Sequence, residues 1–387
     1  VTNKSIEIVI GAGYGDEGKG LTTDWLTQDR KETAVVRFNS GAQAGHTVQR
    51  KDGIRHVFHH FGSGTFNGAP TILSRFFVVN PILFWHEAMD LYKKCGTLPN
   101  VYVDKECLVT TPYDVYINQT IEKARAGERH GSCGVGFGET IERAERGFPL
   151  RVSDLKDADT LAEKLENIKT EYFPMRLVEL GIENNPILLE RVDERFLRDA
   201  KEFYNNVKPC KDTDAFELFE HLVFEGAQGL FLDQDSMDFP YVTRSSTGLT
   251  NVVQLISNMK ADIDIFYITR AYLSRHGAGP LPNEIVTPVN IVDDTNVKND
   301  WQGELRFAPL NYDKMFDAIE EDLSKLEDLS YTVNAMITHC DQSSSVTDTP
   351  VDNIIDEVIL ATGAENVYTS WGPTAAHIKI ERIEKDN

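Results

Sequence analysis

An apolar run, Ile6 to Ile10, leads into Gly13-Tyr-Gly-Asp-Glu-Gly18-Lys19-Gly20, and a helical pattern opens near Leu21. The turn meets the first seven positions of a phosphate loop, G-x-x-x-x-G-K, with Gly20 where Ser or Thr is expected. Glycines let backbone N–H groups approach phosphate oxygens, and the following helix aims its positive dipole end at them. Gly13, Gly15, Gly18 and Gly20 are therefore expected around a nucleotide phosphate, with Lys19 as a point charge. The usual Ser/Thr hydroxyl holds Mg²⁺, so its loss calls for a substitute. Asp16 is the obvious one. The pair Asp16-Glu17 is otherwise awkward, because carboxylates repel phosphate unless a metal or a proton intervenes. Asp16 reads as a metal ligand, a base, or both, and Glu17 as part of the nucleotide-binding loop.

A second glycine turn follows a strand-like run: Arg37 to Thr47 reads RFNSGAQAGHT and ends in Gly45-His46-Thr47. A histidine in such a turn, soon after a phosphate loop, is a catalytic candidate. Farther on stand Phe224-Glu-Gly-Ala-Gln-Gly229, Phe239-Pro-Tyr-Val-Thr243, Gly277-Ala-Gly-Pro280 and Trp371-Gly-Pro373. The loops His130–Gly138 and Arg275–Pro282 are too long and glycine-rich for simple turns, as functional loops often are.

These segments need a scaffold. Short β-rich runs recur between helical stretches: Ala34–Phe38, Thr71–Val79, Val101–Val103, His221–Glu225, Ile263–Thr269, Thr332–Thr338 and Val367–Ser370. Alternation of this kind predicts an α/β fold, a mainly parallel doubly wound sheet with the phosphate-loop-like turn at its N-terminus. Residues 152–219 are charged, with apolar residues at helical spacing, and read as a helical excursion within a single domain spanning 1–387. The five cysteines lack C-x-x-C pairs, which favours free thiols in a reducing compartment over disulfides or structural zinc. With no apolar run of about 18 residues and no signal peptide, a cytoplasmic protein is expected, in the host cytoplasm if it is viral. The formal net charge of −22 argues against nucleic-acid and anionic-membrane partners. Positive charge for an anionic nucleotide must then be concentrated locally.

Taken together, the loops resemble the adenylosuccinate synthetase family. Its GDEGKG, N-A-G-H-T, F-E-G-A-Q-G, P-Y-V-T and G-x-G-P-x-P-x-E motifs have counterparts here in order, the last as Gly277-Ala-Gly-Pro-Leu-Pro-Asn-Glu284. The resemblance implies a ligase. A nucleoside triphosphate phosphorylates the 6-oxygen of a purine nucleotide, and the amine of L-aspartate then displaces phosphate at C6. It implies that Asp16 takes the N1 proton and shares Mg²⁺ with the Gly45 carbonyl. His46 would stabilise the transferring phosphoryl group, and Lys19 would cradle phosphate. Gln228 and Thr243 would contact the purine nucleotide. Thr47, Ser132, Cys133, Arg146, His339, Asp341, Gly372 and Pro373 would complete the nucleotide-binding set.

Four segments depart from the family pattern. T-T-G-R-G-I-G is Gly131-Ser-Cys-Gly-Val-Gly-Phe-Gly138, and Arg143 and Arg146 downstream are candidates for an arginine shared across a homodimer. The multi-arginine aspartate loop is replaced by Thr295-Asn-Val-Lys-Asn-Asp-Trp-Gln-Gly-Glu-Leu-Arg306. Two carboxylates still need cations, so Thr295, Arg306 and Lys298 are the aspartate candidates. T-K-L-D is Thr338-His-Cys-Asp341, which puts guanine preference in doubt and makes ATP or dATP plausible beside GTP. H-L-x-P-S-G is His59-His60-Phe61-Gly62-Ser63-Gly64. These departures and the short length resemble a bacteriophage branch, 2-aminoadenylosuccinate synthetase, which acts on dGMP towards diaminopurine DNA. Ser245, Ser246 and the Gly131–Phe137 loop are then candidates to accept the 2-amino group. The alternatives are a cellular-type enzyme using IMP and GTP, and a non-catalytic nucleotide-binding protein.

Overall fold

The computed structural model describes residues 3–125, 133–182, 192–285, 291, 293, 303–326 and 329–382. The run that precedes the first glycine loop is the strand Lys4–Gly11, at the centre of a ten-stranded sheet. Its side chains alternate between two apolar layers. Ile6, Ile8 and Ile10 pack with Phe224, Ile265 and Tyr267 on one face, and Val9 packs with Val223, Phe266, Ile268 and Met336 on the other. Burial on both faces is why these strands read as continuous apolar runs rather than alternating ones.

On one side of Lys4–Gly11 lie His221–Gly229, Thr33–Arg37, Thr71–Leu73, Val101–Asp104 and Lys208–Cys210. On the other lie Ala261–Arg270, Tyr331–Thr338, Asn366–Ser370 and Ile378–Arg382. Every pairing is parallel except that of the edge strand Ile378–Arg382. The expected α/β, mainly parallel, doubly wound sheet is therefore present. Because the chain feeds both sides of Lys4–Gly11, the sheet has a switch point there. Ligand crevices open at the carboxyl ends of strands at such points.

Two stretches differ from the sequence reading. Thr71–Val79 is not one strand. The Ser74 N–H bonds to the Arg37 carbonyl and the Phe77 N–H to the Ser74 carbonyl, so the chain turns at Arg75-Phe76. Val78–Val79 then pairs with Leu108–Val109. Residues 152–219 carry the helices Ala158–Asn167, Phe173–Leu180 and Val192–Asn206, but also the edge strand Lys208–Cys210. The Asp104 carboxylate accepts the Asp212 N–H at 2.7 Å and helps to bring the chain back to the sheet. The helices share a second apolar cluster with the helix Pro81–Cys95, where Phe84 meets Phe203 edge-on at 4.8 Å. No helix among the described residues is long and apolar enough to cross a membrane.

The helix after the glycine loop, Lys19–Thr27, carries a buried acid, Asp24. Burial pushes its carboxyl up to about 6, against hydrogen bonds from Asn67 and Gln28. Between the unfolded value and 6 the folded state binds the extra proton, so stability falls as pH rises through this window. Asp24→Asn is therefore expected to stabilise the protein by about 2 kcal/mol at pH 8 and by almost nothing near pH 4. Denaturant midpoints at the two pH values check this, and an equal effect at both would refute it.

Candidate active site

The sequence loops converge at the carboxyl ends of the central strands. The turn after Lys4–Gly11 is shaped by left-handed glycines, with φ of 109° at Gly15 and 93° at Gly18. It folds around Glu17. One oxygen of that carboxylate accepts the N–H groups of Gly13 and Gly15 at 3.1 and 2.7 Å, and the other meets Lys19 Nζ at 3.0 Å. A Cβ on Gly11 would stand 2.4 Å from this carboxylate, so only glycine fits beneath it. Glu17 thus organises its own loop, while Asp16 next to it faces the crevice.

The second loop delivers His46, whose partner comes from a strand 179 residues away. His46 Nδ1 lies 2.7 Å from Glu225 Oε1. Glu225 is fully buried and also accepts the Ser63 N–H at 3.1 Å and the Ser63 hydroxyl; Arg37 Nε lies 3.9 Å away. Burial alone would raise the Glu225 carboxyl, but His46, Arg37 and Ser63 together bring it down to about 2. Burial pushes His46 down to about 4 against the pull of Glu225. The resting pair is an anionic carboxylate under a neutral imidazole. Chemistry assigns the proton to Nδ1, which leaves Nε2 buried and without a partner among the described residues.

Two cavities meet at this point. One, of about 470 Å³, is lined by Gln43, Cys133, Gln228, Tyr241, Thr243 and Arg275 among others. The other, of about 490 Å³, is lined by Gly18, Lys19, Gly20, Thr47, His339, Asp341, Gly372 and Pro373 among others. Gly15, Asp16, Gly45 and His46 border both. Burial raises the Asp16 carboxyl above its ordinary value, against the fields of His276, Arg270 and Lys19. A basic carboxylate and an imidazole with one open nitrogen therefore stand on the wall between two nucleotide-sized spaces.

Most of the sequence-derived site residues fall on these cavities, but not all. Gly13 and Glu17 line neither, because they bond to each other inside the loop. Arg306 also lines neither. It bonds Glu284 at 2.9 Å and donates to the carbonyls of Gly277 and Gly279 at 3.2 and 2.9 Å. Arg143 is fully buried on Asp114 at 2.8 Å, which rules it out as an arginine offered to a partner. Arg146 stays on the surface, paired with Glu142 and Glu179. Ser245 and Ser246 line neither cavity. Ser132, Thr295 and Lys298 lie outside the described residues.

Several polar residues at the site carried no assigned role in the sequence reading. Arg270 donates to the Asp16 carbonyl and pairs with Asp293 at 2.9 Å. Glu225 and Ser63 support His46, and Arg275 and His276 border the first cavity. For Arg270 the available signal was an arginine at the carboxyl end of a central strand.

Residues 8–306 match the family described as adenylosuccinate synthetase. The adenylosuccinate synthetase of Hamiltonella defensa is 35% identical over 283 residues, which is 72% of this chain and 64% of that protein. This chain thus spans less than two thirds of the length of that relative. Among solved structures, the fully ligated adenylosuccinate synthetase of Plasmodium falciparum aligns with a TM-score of 0.74 at 17% identity, covering 98% of this chain and 100% of the other. The succinoaminodeoxyadenylate synthetase (PurZ) of cyanophage S-2L, bound to dGMP and dATP, aligns at 0.64 and 14%, covering 98% and 96%. At these identities the two structural likenesses speak for the fold alone.

Proposed function

The chain belongs to the adenylosuccinate synthetase family, and from that premise we propose that it is a ligase joining L-aspartate to C6 of a 6-oxopurine nucleotide, driven by a nucleoside triphosphate. One observation carries the reading: Asp16 and His46 stand on the wall shared by the two cavities. Phosphoryl transfer between two bound nucleotides needs its acid–base groups at such a junction. Pure binding would need neither a basic carboxylate nor an open imidazole.

In this reading the purine lies in the cavity with Gln228 and Thr243, its N1–O6 edge towards Asp16. The triphosphate lies in the other, its phosphates at Gly18–Gly20 and its base near His339 and Asp341. Asp16 removes the N1 proton, which makes O6 nucleophilic; the raised proton affinity of its carboxyl suits that task. As the γ-phosphoryl group crosses the wall, its negative charge meets His46 Nε2. The anion raises the proton affinity of the imidazole, and the imidazolium, balanced by Glu225, stabilises it. The aspartate amine then attacks C6 and phosphate leaves. The Asp16 carboxylate and the Gly45 carbonyl are hard oxygen donors beside both cavities and would hold Mg²⁺ there. Bound there, Mg²⁺ would neutralise phosphate charge.

The cavities draw on residues from Tyr14 to Pro373, which supports reading the chain as a single domain. A homodimer that offers Arg146 to the partner's purine cavity belongs to the same reading. For the purine, IMP is favoured over dGMP. The relative at 35% identity is an adenylosuccinate synthetase, whereas the dGMP-bound phage structure is 14% identical. Ser245 and Ser246, proposed to hold a 2-amino group, stand off the cavity. Phosphate release with L-aspartate, comparing IMP with dGMP and ATP, dATP and GTP in turn, tests the reading. Turnover on dGMP alone would restore the phage-type assignment. No turnover with any pair would leave a nucleotide-binding protein.

Arg306 provides a further test. By holding the Gly277 and Gly279 carbonyls it fixes a loop on the purine cavity. Arg306→Ala is expected to raise the KM for L-aspartate by up to about tenfold, through loosening of this loop rather than loss of a direct contact. An unchanged aspartate KM in steady-state kinetics would move the amino-acid site elsewhere.

A further inference from the structure

Five described side chains able to carry positive charge border the purine cavity: His46, Arg125, Arg244, Arg275 and His276. Four have carboxylate partners. His46 has Glu225 at 2.7 Å, Arg125 has Glu122 at 2.8 Å, Arg275 has Asp238 at 3.5 Å, and Arg244 has Glu142 and Glu145. His276 differs. Its Nδ1 is buried and has no hydrogen-bond partner among the described residues.

The backbone around His276 is held from both sides. Arg275 donates to the Pro280 and Tyr241 carbonyls at 2.8 and 2.9 Å, and its guanidinium lies 4.4 Å from the centre of the Tyr14 ring. Gly277 and Gly279 have φ of 78° and 109°, a turn that side chains other than glycine rarely accept. Arg306 ties down both their carbonyls. His276 thus borders the cavity from a fixed loop, with its Nδ1 lacking a partner among the described residues. A buried unpaired donor or acceptor costs about 1–3 kcal/mol, so a site this well built for one is expected to receive a ligand.

The position of His276 selects the ligand. It borders the purine cavity and not the triphosphate cavity. The neighbouring Arg275 lies 4.4 Å from the Tyr14 ring, two residues before Asp16, and Asp16 borders the same cavity. His276 therefore stands near the Asp16 end of the purine cavity. If Asp16 is the base for N1, that end holds the N1–C6–O6 edge, and the phosphate of the purine nucleotide lies away from it. The anion that must approach this edge is the amino acid whose amine attacks C6. The multi-arginine loop that would hold its two carboxylates is missing here, and the one arginine retained in that segment is committed to Glu284 and to the glycine turn.

We propose that His276 is a substrate-binding residue for the amino acid, donating an imidazole N–H to one carboxylate of L-aspartate and so aiming its amine at C6. The inference rests on the ligase reading above and adds to it the group that selects a dicarboxylic amino acid. The contact is assigned to the β-carboxylate, which L-asparagine replaces with a neutral amide, so L-aspartate is preferred over L-asparagine through it.

The test separates this inference from the reaction reading. Scrambling of the β,γ-bridge oxygen of labelled triphosphate into non-bridging positions, with purine nucleotide present and no aspartate, reports phosphoryl transfer alone. His276→Ala is expected to keep that exchange within about twofold of wild type while raising the aspartate KM by about tenfold or more. His276→Gln, which keeps an N–H donor of similar reach, is expected to recover part of the aspartate KM. Normal exchange with an unchanged aspartate KM in both variants would overturn the proposal. A loss of exchange with an unchanged aspartate KM would overturn it too, and would make His276 a positioning residue for Asp16. Absence of exchange in the wild-type protein would instead sink the ligase reading, and this inference with it. Melting temperatures of both variants guard against misfolding.

Discussion

Asp16→Ala is expected to lower kcat by about 10³-fold or more and to leave purine nucleotide binding measurable by calorimetry. General-base removal costs about 10²–10⁴-fold on its own, and the proposed metal contact would be lost as well. The two readouts part because the purine cavity is built largely from other residues, among them Gln228, Thr243 and Arg275. The direction of the pH dependence follows from the site. Burial raises the Asp16 carboxyl, and a base works only when deprotonated. The acidic limb of kcat/KM should therefore fall at a higher pH than an ordinary carboxylate would give. It should be missing from the residual activity of the variant. Turnover close to wild type would remove Asp16 from the base role.

The pairing of Asp16 with Glu17 marks where the sequence was legible and where it was not. In sequence they are two adjacent acids in a phosphate loop. In the fold they have opposite tasks, because the left-handed Gly15 and Gly18 turn Glu17 inward onto Lys19 and the Gly13 and Gly15 N–H groups. Composition cannot state the direction of a side chain within a glycine turn. The central strands were readable because burial on both faces leaves an uninterrupted apolar signature. The edge strand Lys208–Cys210 has no such signature: it is three residues long, contains a proline and starts with an exposed lysine. Arg143 and Arg146 are alike in sequence, yet one is locked on Asp114 and the other lies on the surface. The glycine loops, Asp16 and His46 were legible because their chemistry is local. The residue that supports His46 was not, because the separation of 179 residues is closed only by the order of the strands.

That support is the basis of the second large effect. Glu225→Gln is expected to lower kcat by about 10²-fold or more, by analogy with removing the charge of an orienting carboxylate from an imidazole. Through Oε1 glutamine can still accept from His46 Nδ1 and the Ser63 hydroxyl, while its NH₂ replaces the oxygen that accepted the Ser63 N–H. At His46 what is lost is charge. His46 must become an imidazolium as the phosphoryl anion reaches Nε2, and a neutral amide does not balance it. Burial already holds the imidazole low, at about 4. Without the opposing carboxylate it should fall further, and the protonated form would be harder to reach at every working pH. The same substitution leaves Arg37, a fully buried guanidinium 3.9 Å from Glu225, without that charge. Stripping the partner from a buried ion costs about 3–5 kcal/mol. At 3.9 Å, with carbonyl acceptors on His59 and Phe61 remaining, the lower part of that range is expected. A clear drop in melting temperature should therefore accompany the loss of turnover, and kinetics must be read well below it. Purine KM should move by no more than about twofold, since Glu225 does not border the cavity. Equal losses in kcat and in purine affinity would mean that Glu225 merely holds the fold. Loss of kcat with purine affinity intact would place its charge in the transition state.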